Sequence, residues 1–423
     1  MARRIARVRS TPLLIPEPPL RNSSGVHEPW TGRLLIEVET QDGVVGLSET
    51  YGDPILAAAI DERLPHLIGR DPFDLASIQR AIGLEDPRRA NGQDWSGELP
   101  APGRFAGTLD AKLLAAFEVA LLDAQARTLE VPVSTVLGGR LRDRVPFAAY
   151  LFYKFGHHAD TTQDDEWGVV DDPDSVVRLA RRLVDAYGFG SLKLKGGVLP
   201  PEEEVAALRA LRLEFPDHPL RLDPNAAWTV ETSIRVGESL DGLLEYLEDP
   251  TPGHDGMAEV AEAIATPLAT NMIVTGFGDL DEAVRRRSVS VILADHHFWG
   301  GMRATQHLAT VCDAFGLGIS MHSNTHLGVS LAAMAQVAST LVGELQACDT
   351  HYPWIERDIV ANPPRFVDGS IVLGDEPGLG VVLDDESVAQ LHENYRRLGP
   401  WRRDDVGYMR RYVPDWTDRR PRW

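Results

Sequence analysis

The stretch SLKLKGGV at residues 191–198 decides how the chain is read. Successive side chains of a strand point to opposite faces, so Lys193 and Lys195 share one face and their ammonium groups are pushed together. From here onward short apolar runs recur, each ending in a polar residue: SLKLK, LRLDPN, LEYLEDP, PLATNM, SVILAD, LGISMHSN and LQACDT. The terminal residues are Lys195, Asp223, Glu248, Asn271, Asp295, His322 and Asp349, spaced 23–28 residues apart. That interval holds one strand, one helix and two loops, and segments such as PEEEVAALRALRLEF and GMRATQHLATVCDAFG read as the helices. Strands alternating with helices at this period predict a parallel sheet. Together with VPFAAYLF at 145–152 the runs make eight strands, enough to close a barrel whose reactive residues stand at the C-terminal strand ends. A doubly wound open sheet ranks second, because no G-x-G-x-x-G follows the first strand.

The segment before residue 130 breaks this period. RRIARVRSTPLLIP and GRLLIEVETQDGVVGLSETYG read as antiparallel strands with a turn at Asp42-Gly43, and DAKLLAAFEVALLDAQARTL as an amphipathic helix. Residues 1–130 are therefore expected to form a separate α+β region, with residues 131–385 as the barrel. The Pro, Ser and Gly stretch at about 17–30 is expected to be a mobile lid, too polar for the core. Residues 386–423, rich in arginine and tryptophan, are expected to pack back on the first region.

Composition narrows the function. The 423 residues are 43% hydrophobic and 25% charged, and a net charge of −21 argues against a general grip on nucleic acid. An anionic ligand would need concentrated positive charge against that field, which the lysine pair begins to supply. Two cysteines, Cys312 and Cys348, are too few for a disulfide framework and suit a reducing compartment, so the expected location is the cytoplasm. The N-terminal apolar run is cut by Pro12 and Pro16 and reads as a strand rather than a signal peptide. No apolar run reaches the roughly 18 residues of a membrane span.

Asp223, Glu248 and Asn271 end consecutive strands, which sets three oxygen donors around one mouth. Such hard donors suit Mg2+. Each residue alone could instead cap a helix, but the register with a lysine pair before and a histidine after favours the site. Asp295 and His322 end the next two strands, where a carboxylate beside an imidazole makes an acid/base histidine. His296, His297 and His326 lie nearby, and His322 is preferred for its register. Lys193 is expected to lower the proton affinity of Lys195 by like-charge repulsion, making Lys195 a base. Lysines guarding a sheet edge are the bland alternative, and a closed barrel has no edge. The whole arrangement describes proton abstraction beside a carboxylate.

With these residues in place the sequence resembles the enolase superfamily, over nearly its whole length. It is similar in particular to the glucarate dehydratase subgroup, in FGSLKLKGGV, LDPNAAW, LEDP, PLATNM, ADHHFWGG, HSNTHLGVSLA, CDTHYPW and PGLGV. The resemblance implies a modified TIM barrel, (β/α)7β, with an N-terminal α+β capping domain completed by the C-terminal tail. It implies Mg2+ on Asp223, Glu248 and Asn271, Lys195 as base assisted by Lys193, and His322 with Asp295 as the opposing dyad. Asn225, counted with the catalytic residues, would contact the substrate carboxylate or a metal-bound oxygen, and further substrate contacts map to Asn22, His27, Tyr150, Phe152, Ser323, Asn324, His351 and Arg403. The implied reaction is dehydration of a six-carbon aldarate, D-glucarate to 5-dehydro-4-deoxy-D-glucarate, with D-glucarate/L-idarate epimerisation if both bases reach one carbon. Galactarate or an aldonate is the alternative substrate. A homo-oligomer is implied as well. The sequence departs from the subgroup around Arg104, where a hydroxyl contact lacks a counterpart, and in DHHFWGGMR, where His296 replaces a proline. Two rivals stand outside the resemblance: a Schiff-base lyase using a strand-end lysine, and a barrel that only binds.

Overall fold

The computed structural model describes residues 3–84 and 109–423, so the departure around Arg104 lies outside the described residues. Strands Ile5–Pro16, Trp30–Thr40 and Val45–Tyr51 form an antiparallel sheet in that order. The turn between the last two closes with Thr40 N–H donating to Val44 O (2.9 Å) and Val44 N–H donating to Thr40 Oγ1 (3.1 Å), and Gly43 takes the left-handed φ of +84° that the turn requires. Ile5, Leu34, Ile36 and Val38 of the sheet pack with Leu113, Phe117, Ala120 and Leu121 of the helix Leu109–Thr128. Each such burial contributes on the order of 2 kcal/mol. The helix comes so close that a Cβ on Gly46 would lie 2.1 Å from the Ala120 carbonyl.

This helix corrects one expectation. It is buried along almost its whole circumference from Ala111 to Ala126, charged Lys112, Glu118 and Asp123 included, and so is not amphipathic in place. It lies between the capping sheet and the barrel, and its polar groups tie the two. Asp123 accepts N–H groups from Leu47 (2.8 Å) and Leu379 (2.6 Å), and Arg127 (2.9 Å).

The barrel strands are Ala149–Phe152, Leu192–Lys195, Leu220–Asp223, Tyr246–Glu248, Leu268–Thr270, Val291–Ala294 and Gly318–Met321, paired in parallel in sequence order. The eighth place is taken by residues 345–348 through single bridges, Ile319 with Leu345 and Phe147 with Cys348. Gln346 N–H donates to Ile319 O (2.9 Å) and Cys348 N–H to Pro146 O (2.8 Å), which closes the ring. The run read as one strand at 145–152 is divided, since Arg144–Pro146 pairs antiparallel with Ser370–Val372 in a separate sheet. The helices Pro201–Glu214 and Met302–Phe315 fall where their apolar period placed them. Both cysteines are free and buried. No helix among the described residues is long and apolar enough to cross a membrane.

The C-terminal segment does two things. Its helix Asp385–Leu398 packs on the first capping strand, with His392 Nδ1 2.8 Å from Pro12 O. Residues 401–423 then leave the capping domain and cross the barrel mouth, where Arg422 N–H donates to Ala227 O (2.6 Å). Beneath them lies the 17–30 loop. It was expected to be too polar for the core, yet residues 17–20 and 22–27 are buried, because the tail satisfies their polar groups. Asn22 Nδ2 donates to Asp405 (2.9 Å), Trp416 Nε1 to Ser24 O (2.6 Å) and Arg422 to Ser23 O (3.1 Å).

Candidate active site

Three of the predicted residues, Lys195, Asp223 and Glu248, are the last residues of their strands, and Asn271, Asp295 and His322 each follow theirs by one. The parallel ladder sets Lys195 directly beside Asp223. Lys193 and Lys195 share one side, their Nζ atoms 4.8 and 5.7 Å from the centre of the Tyr150 ring. Lys193 is fully buried, with Glu248 Oε2 at 2.5 Å, Asp349 Oδ2 at 2.6 Å and Asp223 Oδ2 at 3.8 Å. Burial alone would strip its proton, but Asp349 and Glu248 outweigh burial and hold the ammonium well above the ordinary lysine range. Lys195 Nζ donates to Asp223 Oδ2 at 2.6 Å. The repulsion account of the pair is therefore incomplete, since the charge on Lys193 is compensated by carboxylates. Asp349, which ends the eighth run, is the main partner that the sequence reading left without a role.

The same cluster carries unspent oxygen. Glu248 Oε2 is close to Lys193 but out of line for a hydrogen bond, and Glu248 Oε1, Asp349 Oδ1 and Asn225 Oδ1 are buried without a hydrogen-bond partner. Burial first, and then the Asp223 charge, pushes Glu248 well above the ordinary carboxylate range. Lys195 and Lys193 overcome burial at Asp223 and hold it low. Asn225 Nδ2 donates to Asp223 Oδ1 (2.8 Å), which turns the amide oxygen the other way. The Asn271 backbone N–H is fixed on Asp249 Oδ2 (2.9 Å), whose carboxylate burial pushes up to about 7. Buried carboxylate and amide oxygens with free lone pairs and excess negative charge fit a hard divalent cation.

On the other side of the mouth Asp295 is the hub. Its Oδ2 accepts from His322 Nδ1 (3.1 Å) and from the Tyr51 hydroxyl (3.0 Å). Its Oδ1 accepts from the backbone N–H (2.9 Å) of His297 and contacts that residue's Nδ1 (2.7 Å). These partners outweigh burial and keep the carboxylate well below its usual range. With Nδ1 of His322 committed, its Nε2 is the nitrogen left for chemistry, and this side chain is 17% exposed. His297 Nε2 lies 3.1 Å from Glu49 O and 3.0 Å from Ser330 Oγ. Asp295, His297 and His326 also bring three metal-competent atoms within 4.8 Å. The Asp295 oxygens and both His297 nitrogens are engaged in the hydrogen-bond network just described, so the set reads as a brace rather than a metal centre.

The remaining predicted residues divide into two groups. His351, Tyr150 and Phe152 pack as one wall, with the His351 ring centre 4.9 and 5.1 Å from the two aromatic rings. Burial, then the positive charges of His27, His322 and Lys195, holds His351 well below the ordinary histidine range. Ser323 Oγ accepts the His351 N–H at 3.4 Å. Tyr150 O–H donates to Asp223 Oδ2 (3.2 Å). Asn324 and Arg403 line a neighbouring cavity of about 540 Å³ between capping domain and tail. Arg403 is not a free cation there. Its fork is bidentate on Asp405 (2.6 and 2.7 Å) and its other nitrogen is 3.3 Å from Glu17. Asn22 likewise serves its own loop, accepting from Ser24 and Gly25 N–H (both 2.9 Å). Glu17 joins the group by holding His27 (3.3 Å), Arg403 and Thr325, and is kept down at about 2, these partners overcoming burial.

An α+β cap on a parallel barrel with polar residues at its strand ends defines the class of fold, and the comparisons agree. Residues 24–138 match the mandelate racemase / muconate lactonizing enzyme N-terminal domain, and residues 175–387 the enolase C-terminal domain-like family. The chain belongs to the enolase superfamily. A probable glucarate dehydratase of Streptomyces coelicolor is 48% identical to it over 428 residues, covering 99% of each chain. An enolase of Pseudomonas fluorescens, solved with magnesium, potassium and tartrate, is 46% identical, with a TM-score of 0.94 over 99% of each chain. An enolase of Mycobacterium smegmatis with formate and acetate is 48% identical, with a TM-score of 0.93 over 99% of this chain and 98% of that one.

Proposed function

We propose that this superfamily member is a Mg2+-dependent acid-sugar dehydratase whose substrate is D-glucarate. The observation that carries the reading is that Lys195 and His322 both stand at the C-terminal strand ends of one barrel, with the oxygen-rich cluster of Asp223, Glu248 and Asn225 beside Lys195. The 48% identity to a probable glucarate dehydratase supports the substrate class. Asp223, Glu248 and Asn271 would hold the cation, which supplies charge stabilisation for a substrate carboxylate as it gains negative charge.

The chain's own residues then divide the work. Lys195 Nζ or His322 Nε2 removes the proton from the carbon beside the carboxylate, according to the configuration at that carbon. His322 in its acid form gives a proton to the β-hydroxyl, which leaves as water. Asp295 holds the His322 ring by Nδ1 throughout. Lys193 stays protonated and offsets the carboxylates around it. Tyr150, Phe152 and His351 form the wall that limits water, and Asn225 orients Asp223.

A screen of acid sugars with Mg2+, followed by keto-acid formation, tests the reading. Activity on D-glucarate is expected, and activity on an aldonate with none on any diacid overturns the diacid assignment. In D2O, recovered D-glucarate or L-idarate should carry deuterium; its absence rejects the two-base site. Trapping of the protein by borohydride with a carbonyl substrate would favour a Schiff-base lyase instead.

A further inference from the structure

A buried brace runs from the capping domain to the acid/base pair. Arg33 and Tyr51 stand opposite each other in the capping ladder, with Glu49 two residues before Tyr51 on the same strand. Arg33 Nε donates to Glu49 Oε1 (2.6 Å), and its guanidinium lies 4.7 Å from the Tyr51 ring centre. Glu49 also accepts the N–H groups of Leu327 (3.1 Å) and Ser330 (2.9 Å), which fastens the capping strand to the barrel segment after His322. From this frame the Tyr51 hydroxyl reaches Asp295 Oδ2, the same oxygen that His322 Nδ1 uses.

We propose that Tyr51 is a positioning residue for His322: its hydroxyl on Asp295 Oδ2 limits how strongly the carboxylate draws on the imidazole, so the capping domain sets the pH at which His322 exchanges its proton. The inference rests on His322 being the acid/base group of the proposed reaction. The physical ground is competition for one oxygen. A carboxylate oxygen that accepts a second hydrogen bond spreads its charge and becomes a weaker acceptor for the first. Burial, then Asp295, keeps Tyr51 protonated, so its hydroxyl acts as the donor. Asp295 Oδ1 cannot take over, because His297 occupies it twice.

Among the described residues several titratable groups face the pair. Asp295 faces His326 Nε2 (3.7 Å), His296 Nδ1 (4.0 Å) and Lys112, and His322 faces His351. Arg33 and Glu49 lie behind Tyr51. Burial holds His326 down at about 4, and His296 and His351 well below the ordinary histidine range, while Lys112 is lowered to about 8. The three histidines therefore stay neutral near neutral pH.

Peptide-resolved mass spectrometry of diethylpyrocarbonate modification reads the protonation of His322 without any substrate. In Tyr51→Phe the pH midpoint for His322 should rise by about half to one unit, and the matching limb of the kcat/KM profile should move with it. An unmoved midpoint in a folded variant overturns the proposal, even if activity falls at every pH. Should Tyr51→Phe fail to fold, His297→Phe removes the imidazole donor on Asp295 while keeping a ring; an upward shift supports the brace and no shift overturns it. A shifted midpoint in a protein that turns over no acid sugar would leave the brace standing and sink the proposed reaction.

Discussion

The two sides of the mouth hold their proton-transfer groups by different means. On the lysine side every charged partner comes from the barrel itself: Asp223, Glu248 and Asp349 surround Lys193, and Asp223 holds Lys195. On the histidine side the dyad carboxylate is steadied from another domain, by Tyr51 directly and by Arg33 and Glu49 behind it. The first arrangement balances charge with charge at close quarters. The second fixes one carboxylate with hydrogen-bond donors from Tyr51 and His297 and leaves His322 the more exposed group. A barrel alone is thus able to keep a buried lysine charged, while the orientation of the imidazole depends on how the domains dock.

The sharpest way to break this contrast is at the bases. Lys195→Ala should lower turnover by about 10³ to 10⁴-fold, and so should His322→Asn, while each retains proton exchange into the epimer served by the other base. Loss of exchange into both epimers in either variant would mean that the sides do not act separately. Lys193→Met comes next, because it leaves Glu248 and Asp349 buried without their cation. Denaturant unfolding should show a loss of about 3–5 kcal/mol, against about 1 kcal/mol for Tyr51→Phe.

Metal addition then sharpens the lysine side. Mg2+ at a hundredfold its Kd should stabilise the protein by about 2.7 kcal/mol in thermal unfolding, and Glu248→Gln should abolish the gain. An undiminished gain in that variant would place the cation elsewhere. The last effect belongs to the domain docking. Glu118, on the capping helix, accepts the Arg303 N–H (3.4 Å) at the start of a barrel helix, and burial pushes it from 4.5 up to about 7. Folding therefore raises its proton affinity, so its stabilising contribution is present below about pH 4.5 and is lost as pH rises through 7. Glu118→Gln should gain on the wild type between pH 5 and pH 8 by on the order of 2 kcal/mol, and a constant difference would refute the assignment.

How much of this was legible in the sequence follows the range of the interactions. Strand spacing and apolar period are local, so the barrel, the helices Pro201–Glu214 and Met302–Phe315, and the strand-end positions of Asp223 and Glu248 could be read directly. The partner of Lys193 was not legible, since Asp349 lies 156 residues away and meets it only when the ring closes. Tyr51 reaches Asp295 across 244 residues, and nothing near Tyr51 in the sequence marks it. The 17–30 loop misled for a related reason. Its composition is polar, and its burial depends on donors and acceptors supplied by residues 403–422.

That last feature bears on how the molecule comes into being. Asn22 and Asp405 are separated by 383 positions, and Ser23 and Arg422 by 399, so the roof of the cleft is stitched from two segments far apart in sequence. Contacts of such long range form late and slowly. A nascent chain still awaiting residues 403–422 would have its barrel strands made but its cleft unroofed.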